Sequence, residues 1–177
     1  DVSFIRCLLG GMNLSQGDQE QALALIAQKN APGIQAMADR GILFSQDAQA
    51  IQELMGIYAP LKEGIAQAGR LARDNQSWEI LRQLSVTASM LEAFGLNGRI
   101  RLDFSLVNSM DYYNGVIFQG FLPNIPVPAL SGGRYDNLPR KMGKQVGAIG
   151  FALYMGRLER SEERRVGREC RKRCRSR

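Results

Sequence analysis

Histidine is absent from this sequence of 177 residues, and cysteine occurs only three times. A zinc site usually takes its ligands from these two residue types. Cys170 and Cys174 lie close to the end of the chain, at a spacing unlike that of a zinc knuckle, and no histidine is present to complete a site. Cys7 stands alone in an apolar helical stretch, where we expect a small buried side chain. We therefore predict no metal site, and a reducing cytoplasm as the location.

Long apolar runs are also absent. No stretch of about 18 apolar residues occurs, so we expect no membrane span. The first residues, Asp1-Val2-Ser3-Phe4, show neither an initiator methionine nor the basic-then-apolar pattern of a signal peptide, and we expect the sequence to start within a domain. With 45% hydrophobic and 23% charged residues, the composition is typical of a globular protein with one domain, or with one domain and an appendage.

Excess positive charge is confined to one end of the chain. The formal net charge is +6, but eight of the 23 basic residues and only three of the 17 acidic residues lie within 161–177. The rest of the chain is therefore nearly neutral. This tail has one apolar residue, Val166, so we expect it to be disordered. A nucleic-acid arm is one interpretation, but the abrupt loss of pattern favours a non-native extension, and we predict no nucleic-acid binding by the remainder.

Residues 1–98 are predicted to form a helical region. Ser15 is a predicted N-cap, and Pro32 suits the first turn of a helix. The longest predicted helix carries an apolar residue at every third or fourth position, which gives it one apolar stripe. The stripe consists of Trp78, Leu81, Leu84, Ala88 and Leu91. The predicted helices cover about 2–10, 16–29, 32–39, 46–57, 60–73 and 76–94.

Residues 99–160 show a different periodicity. Apolar and polar residues alternate over 100–106, which predicts a half-buried strand. Further strands are predicted at 113–122, near Ala129-Leu130 and at 146–153, with short helices at 134–142 and 154–160. The fold class is therefore α+β, an antiparallel sheet with helices that follows a helical region.

Two short blocks carry the most chemistry. Asp111-Tyr112-Tyr113 offers a carboxylate and two phenol rings, one of which faces each side of a strand. Gly132-Gly133 permits close approach of a ligand to the backbone, and Arg134 is able to clamp a carboxylate or phosphate. The alternatives are ordinary strand tyrosines and a tight turn in which Asp136 pairs with Arg134 or caps the next helix.

A third block runs from Gly147 to Leu153 and is followed by Arg157. Small residues on a strand let a flat ligand or a neighbouring backbone lie close, and the arginine is placed to face a phosphate. Tight packing of a strand on a helix is the alternative.

Together the three blocks resemble the C-terminal half of the histidyl-tRNA synthetase catalytic domain, a class II aminoacyl-tRNA synthetase fold. The resemblance covers 99–160 specifically, and 1–98 is similar to the helical insertion of that family. It implies a partial domain. It also implies that Tyr113 and Tyr135 line a histidine pocket and that Arg157 occupies the position of an ATP contact. The full predicted pocket is Asp111, Tyr112, Tyr113, Gly133, Arg134 and Tyr135.

Two departures from the synthetase pattern favour the branch of ATP phosphoribosyltransferase regulatory subunits. Asn108 stands where active synthetases carry an arginine, and asparagine supplies no positive charge to a developing phosphate anion. Tyr154 replaces a glycine and would crowd an adenine. The resemblance then implies no catalysis and no cofactor, a catalytic ATP phosphoribosyltransferase subunit as partner, L-histidine as effector, and a homodimer within a hetero-oligomer. A fragment of an active histidyl-tRNA synthetase is the alternative.

Overall fold

The computed structural model describes residues 1–107 and 113–159, which fall into two compact units that divide between residues 111 and 112. Within these described residues, none of the helices combines the length and the apolar character needed to cross a bilayer.

The first unit consists of α-helices, a short 3₁₀ helix at Asn97–Arg99 and two short strands. Its helices are α1 (Val2–Gly10), α2 (Gln16–Ala27), α3 (Ala31–Asp39), α4 (Ser45–Gly56), α5 (Leu61–Gly69) and α6 (Asn75–Ala93). Its strands are β1 (Tyr58–Pro60) and β2 (Arg101–Asp103). The predicted cap is confirmed, because the Ser15 hydroxyl accepts the Asp18 N–H at the start of α2.

The core of the first unit joins the start of the chain to the residues that follow β2. The rings of Phe4 and Phe104 are both 0% exposed, and their centroids lie 5.3 Å apart. Around them, apolar side chains of α1 to α4 are completely or almost completely buried. These are Ile5, Leu9, Ile26, Ile34, Met37, Ile51 and Leu54.

The strand β2 belongs to the helical unit. It pairs in antiparallel fashion with β1, with Leu102 opposite Ala59, and the compact units therefore divide after residue 111 and not at the predicted boundary between 98 and 99. β2 is shorter than the predicted 100–106, because the Asp103 carboxylate accepts the backbone N–H and the hydroxyl of Ser105 and so turns the chain. The predicted inward positions Leu102 and Phe104 are confirmed as buried.

Two predicted core residues lie closer to the surface than expected. Leu81 of the α6 stripe is buried, but Trp78, at the same apolar spacing, is 54% exposed. The expectation of a buried Cys7 was wrong: this side chain is only partly buried, and its Sγ lies 3.5 Å from an Asp74 carboxylate oxygen and from the Ser77 hydroxyl. Both differences arise at the first turn of α6, where Asp74 caps the helix.

The second unit is a three-stranded antiparallel sheet with short helices. Its strands are β3 (Ile117–Gly120), β4 (Leu130–Arg134) and β5 (Ile149–Leu153), in the order β3-β4-β5, and α7 (Asn137–Lys141) follows β4. Residues 155–159 are helical. On β5, Phe151 is 69% exposed and Ile149 67% exposed, so apolar side chains of the sheet face solvent. Among the residues described, β3 and β5 are the outer strands of this sheet.

The strand β3 starts later than the predicted 113–122. The backbone carbonyl of Arg134 accepts the Asn114 N–H, and the backbone N–H of Arg134 donates to the Val116 carbonyl. These two hydrogen bonds join Arg134 to residues that are two positions apart in the sequence. This pattern is that of a β-bulge, which interrupts the ladder at Gly115. Tyr113 therefore precedes the strand and remains tied to β4.

A buried carboxylate joins three segments of the second unit. Asp136 is 4% exposed, and its side chain accepts the Ala148 N–H at 2.9 Å and the Arg134 Nε–H at 2.8 Å. The backbone N–H of Asp136 in turn donates to the Asn114 side-chain oxygen at 2.9 Å. The hydrogen bond from Ala148, followed by the contact with Arg134, lowers the pKa of Asp136 below its ordinary value. Segments next to β3, β4 and β5 are thus all hydrogen-bonded to one residue.

We predict that Phe104→Ala lowers the free energy of unfolding by about 3–5 kcal/mol, because it leaves a cavity against Phe4 in a fully buried site. Phe44→Ala is the matched control, since Phe44 is 66% exposed, and it should change stability by less than about 0.5 kcal/mol. Urea unfolding measures both. Equal effects of the two substitutions would contradict the assignment of Phe104 to the core.

We predict that Asp136→Asn destabilises the second unit at neutral pH and flattens its acid dependence. The folded state holds the pKa of Asp136 below its unfolded value, so the stabilisation is complete above about pH 4 and is lost as pH falls through the lower folded pKa. Hydrogen exchange of the second unit between neutral and acidic pH measures this. Asp39→Asn, at an exposed position, is the control; an equally flattened profile in that variant would refute the role of Asp136.

Candidate functional site

Two facing glycines form a flat floor on one side of the sheet. Gly133 of β4 lies directly opposite Gly150 of β5. A Cβ added at Gly133 would lie 2.7 Å from ring atoms of Tyr113, and one added at Gly150 would lie 2.7 Å from the hydroxyl of Tyr135. Real side-chain carbons do not approach so closely, so glycine is required at both positions for the two tyrosines to rest on the backbone. The groups that approach the backbone at these glycines are tyrosine rings of the same unit, and the expected approach of a ligand stays a prediction.

The two tyrosines meet at an angle above this floor. The ring centroids of Tyr113 and Tyr135 are 6.4 Å apart and the ring planes are inclined by 72°, an edge-to-face arrangement. Both side chains are half-buried. A corner built in this way offers apolar ring surface together with phenol hydroxyls that donate and accept hydrogen bonds. It is suited to a small flat ligand with polar atoms at its edge.

Gly132 is needed on the opposite face of the same strand. It lies between Phe118 of β3 and Phe151 of β5, and a Cβ there would come within 2.7 Å of each side chain. The two adjacent glycines are therefore required for different reasons. Gly133 makes room for the tyrosine corner, and Gly132 makes room for the phenylalanines behind it.

Arg134 is held inside the unit by Asp136. Its Nε donates to the Asp136 carboxylate at 2.8 Å, and its side chain is 52% exposed. The ion pair, one of the two alternatives for Asp136, is the one observed; Asp136 makes no side-chain cap to α7. This bond orients the guanidinium of Arg134. The N–H groups on its two terminal nitrogens are not used by this bond.

Arg157 is engaged within the second unit as well. One of its terminal nitrogens donates to the Pro128 carbonyl, and the guanidinium lies 4.2 Å from the centroid of the Tyr154 ring. Tyr154 is thus a cation–π partner of this arginine. Arg157, which the resemblance places at the position of an ATP contact, thus binds the loop before β4 and a tyrosine ring.

Three predicted positions lie outside the described residues, namely Asn108, Asp111 and Tyr112. One contributor was missed by the sequence reasoning. Asn114 accepts the backbone N–H of Asp136 and donates its own backbone N–H to Arg134. Asparagine followed by glycine is typical of turns, so the sequence alone could have indicated a structural role for Asn114.

A family model confirms the relationship suggested by the motifs. The model described as histidyl-tRNA synthetase matches residues 1–158, which is nearly all of both described units.

Relatives and solved structures agree with this assignment. The ATP phosphoribosyltransferase regulatory subunit of Symbiobacterium thermophilum is 33% identical over 157 residues, which cover 86% of this chain and 39% of that protein. A Bacillus halodurans structure, named as an ATP phosphoribosyltransferase regulatory subunit/histidyl-tRNA synthetase, matches with a TM-score of 0.78 and 26% identity over 86% of this chain and 40% of its own.

A more distant structure supports the fold alone. The histidyl-tRNA synthetase of a Nostoc species matches with a TM-score of 0.72 and 17% identity, over 93% of this chain and 40% of its own. The present chain therefore spans about two fifths of the proteins it matches. The fold is mixed α+β and corresponds to part of a class II synthetase-like domain. From its motifs, its family model and relatives 25–33% identical that are named ATP phosphoribosyltransferase regulatory subunit, the chain belongs to the histidyl-tRNA synthetase family.

Proposed function

We propose that the protein containing this chain is a regulatory subunit of ATP phosphoribosyltransferase that binds L-histidine at the tyrosine corner and is required by a separate catalytic subunit. The observation that carries the proposal is the pair Tyr113 and Tyr135 on the floor of Gly133 and Gly150. The names of the relatives support it, since a regulatory subunit implies a catalytic partner. The proposal includes a homodimer within a hetero-oligomer, in the cytoplasm.

The geometry is compatible with an amino acid that has a planar side chain. An imidazole is flat and carries one donor and one acceptor, which match aromatic surface and a phenol hydroxyl. The N–H groups of Arg134 that Asp136 does not use are suited to the carboxylate of the ligand. The proposed site also includes Asp111 and Tyr112, which precede Tyr113 in the sequence.

A purely regulatory role is supported by the surroundings of Arg157. In the proposed role this arginine no longer binds nucleotide, because its guanidinium is occupied by the Pro128 carbonyl and stacked on Tyr154. Tyr154 also stands where the synthetase pattern has a glycine, and its ring would crowd an adenine. Asn108 adds to this, since a neutral side chain does not stabilise the charge that develops when a carboxylate attacks ATP.

We predict that Tyr135→Ala weakens L-histidine binding to the full-length protein by at least about tenfold, because it removes one wall of the corner and its hydroxyl. Isothermal titration calorimetry measures the affinity. Phe121→Ala is the control, since Phe121 is 59% exposed in the same unit and does not line the corner. Tyr135→Phe separates the ring from the hydroxyl. Equal affinity in wild type and Tyr135→Ala would eliminate the site.

We predict that the full-length protein restores ATP phosphoribosyltransferase activity to a short catalytic subunit from the same genome, and that L-histidine then inhibits the complex. The same protein should show no histidine-dependent exchange of pyrophosphate into ATP. Robust exchange would instead identify an active histidyl-tRNA synthetase, the alternative function. Arg157→Ala should leave both results unchanged, because the proposed role gives this arginine no contact with ATP.

A further inference from the structure

Asn114 links the two tyrosines of the corner. It directly follows Tyr113 in the sequence, and Asp136 directly follows Tyr135. The side-chain oxygen of Asn114 accepts the backbone N–H of Asp136 at 2.9 Å, across 22 positions of sequence. Because neighbouring Cα atoms are only about 3.8 Å apart, this hydrogen bond joins the chain within one residue of each ring.

A second hydrogen bond of Asn114 reaches the other side of Tyr135. The backbone N–H of Asn114 donates at 3.1 Å to the carbonyl of Arg134, which directly precedes Tyr135. Asn114 is thus bonded to the residue before Tyr135 and to the residue after it. Two bonds from one residue define the orientation of the linked segments as well as their distance. The N–H of Tyr135 itself donates to the Ala148 carbonyl at 2.8 Å.

Tyr113 lies outside the regular ladder of β3 and β4. The ladder pairs start at Ile117 opposite Gly133, after the bulge at Gly115. The bonds of Asn114 therefore extend the connection between the two strands to the segment that carries Tyr113. One of these bonds is made by a side chain, so a substitution is able to remove it and keep the backbone bond.

This link and the glycine floor define different dimensions of the corner. The floor sets how close each ring lies to the sheet, since a Cβ added at Gly133 or Gly150 would lie 2.7 Å from a tyrosine atom. The link sets how far apart the segments that carry the rings lie. The ring centroids are 6.4 Å apart, with the planes inclined by 72°. The width of the corner therefore depends on Asn114.

We propose that Asn114 is a positioning residue of the histidine site, which sets the spacing of the two tyrosine rings and thereby the size of the flat side chain that the corner accepts. It acts through Tyr113 and Tyr135 and is given no contact with the ligand. The inference rests on the proposed function, because it takes the corner as the site of L-histidine. A pocket of fixed width discriminates by roughly 10- to 200-fold against a ligand that is one carbon too large, and loss of the link should reduce this preference.

The test compares L-histidine with 2-methyl-L-histidine, which keeps both ring nitrogens and is larger by one methyl group. We predict that Asn114→Ala lowers the preference of the full-length protein for L-histidine over this analogue by at least about fivefold, because the corner is no longer held at one width. Asn114→Asp keeps an acceptor oxygen at the same place and should retain the wild-type preference. Its added charge acts on both ligands alike and cancels in the ratio of the two affinities. Calorimetric titration of each ligand measures this ratio.

Asn137→Ala is the matched control. It removes the same type of side chain from an exposed position, where the amide oxygen lies 3.5 Å from Nδ2 of Asn114. The bond from Asp136 to Asn114 does not involve this residue. The control variant should therefore keep the wild-type affinity for both ligands.

Hydrogen exchange gives a readout that needs no ligand. The exchange rate of the Asp136 N–H, measured by NMR, should rise by at least about tenfold in Asn114→Ala and stay at the wild-type value in Asn137→Ala. A general loss of stability would instead speed exchange throughout the second unit. It would also lower the affinities for both ligands by one factor, so that their ratio would not change.

The outcomes separate this inference from the proposed function. If wild type does not bind L-histidine, or if Tyr135→Ala binds it equally well, the proposed site is wrong and the inference fails with it. If Tyr135→Ala weakens binding and Asn114→Ala keeps the wild-type ratio, the inference is overturned while the proposed function stands. If Asn114→Ala does not fold, Asn114→Gln takes its place. Its longer side chain moves the acceptor by one carbon and should lower the ratio, and a wild-type ratio in that variant overturns the inference.

Discussion

The hydrogen bonds of the Asp136 carboxylate are the constraint on which the second unit depends. One oxygen accepts the Ala148 N–H next to β5 and the other accepts Arg134 Nε at the end of β4. The backbone N–H of the same residue draws in Asn114, and with it the segment that carries Tyr113. These bonds help to fasten the segments that carry the two tyrosines over the glycine floor. The polar network and the aromatic corner are therefore one structural arrangement.

Internal contacts also determine which groups Arg134 and Arg157 face. In a site that handles nucleotides, guanidinium groups need to point at phosphates. Here Arg134 is turned towards a carboxylate and Arg157 towards a carbonyl and a ring. The Nε–H of Arg134 and the guanidinium of Arg157 are thus engaged within the unit. The chemistry left at the corner is shape, aromatic surface, a few hydrogen bonds and the N–H groups of Arg134 that Asp136 does not use.

Much of this was predictable from the sequence, and the differences have identifiable causes. Helices α1 to α6 follow from apolar spacing and caps. The glycines at 132 and 133 indicated close approach to the backbone, and the groups observed there are side chains and backbone of the same unit. The end of β2 depended on a side-chain turn at Asp103, which periodicity does not report. Exposure of Trp78 depended on packing against a glycine of another helix. The ion pair was one of two stated alternatives for Asp136, because a sequence does not show whether a carboxylate meets a nearby guanidinium or caps the next helix.

The glycine floor has a consequence for how the site is able to vary. Every missense change at Gly133 or Gly150 adds at least one carbon, and there is no space for that carbon beneath the tyrosines. The rings above the floor have more freedom, since a phenylalanine or histidine in place of a tyrosine keeps a flat group on the same support. Ligand preference is therefore open to change through the walls of the corner, while the backbone beneath them admits a single residue type.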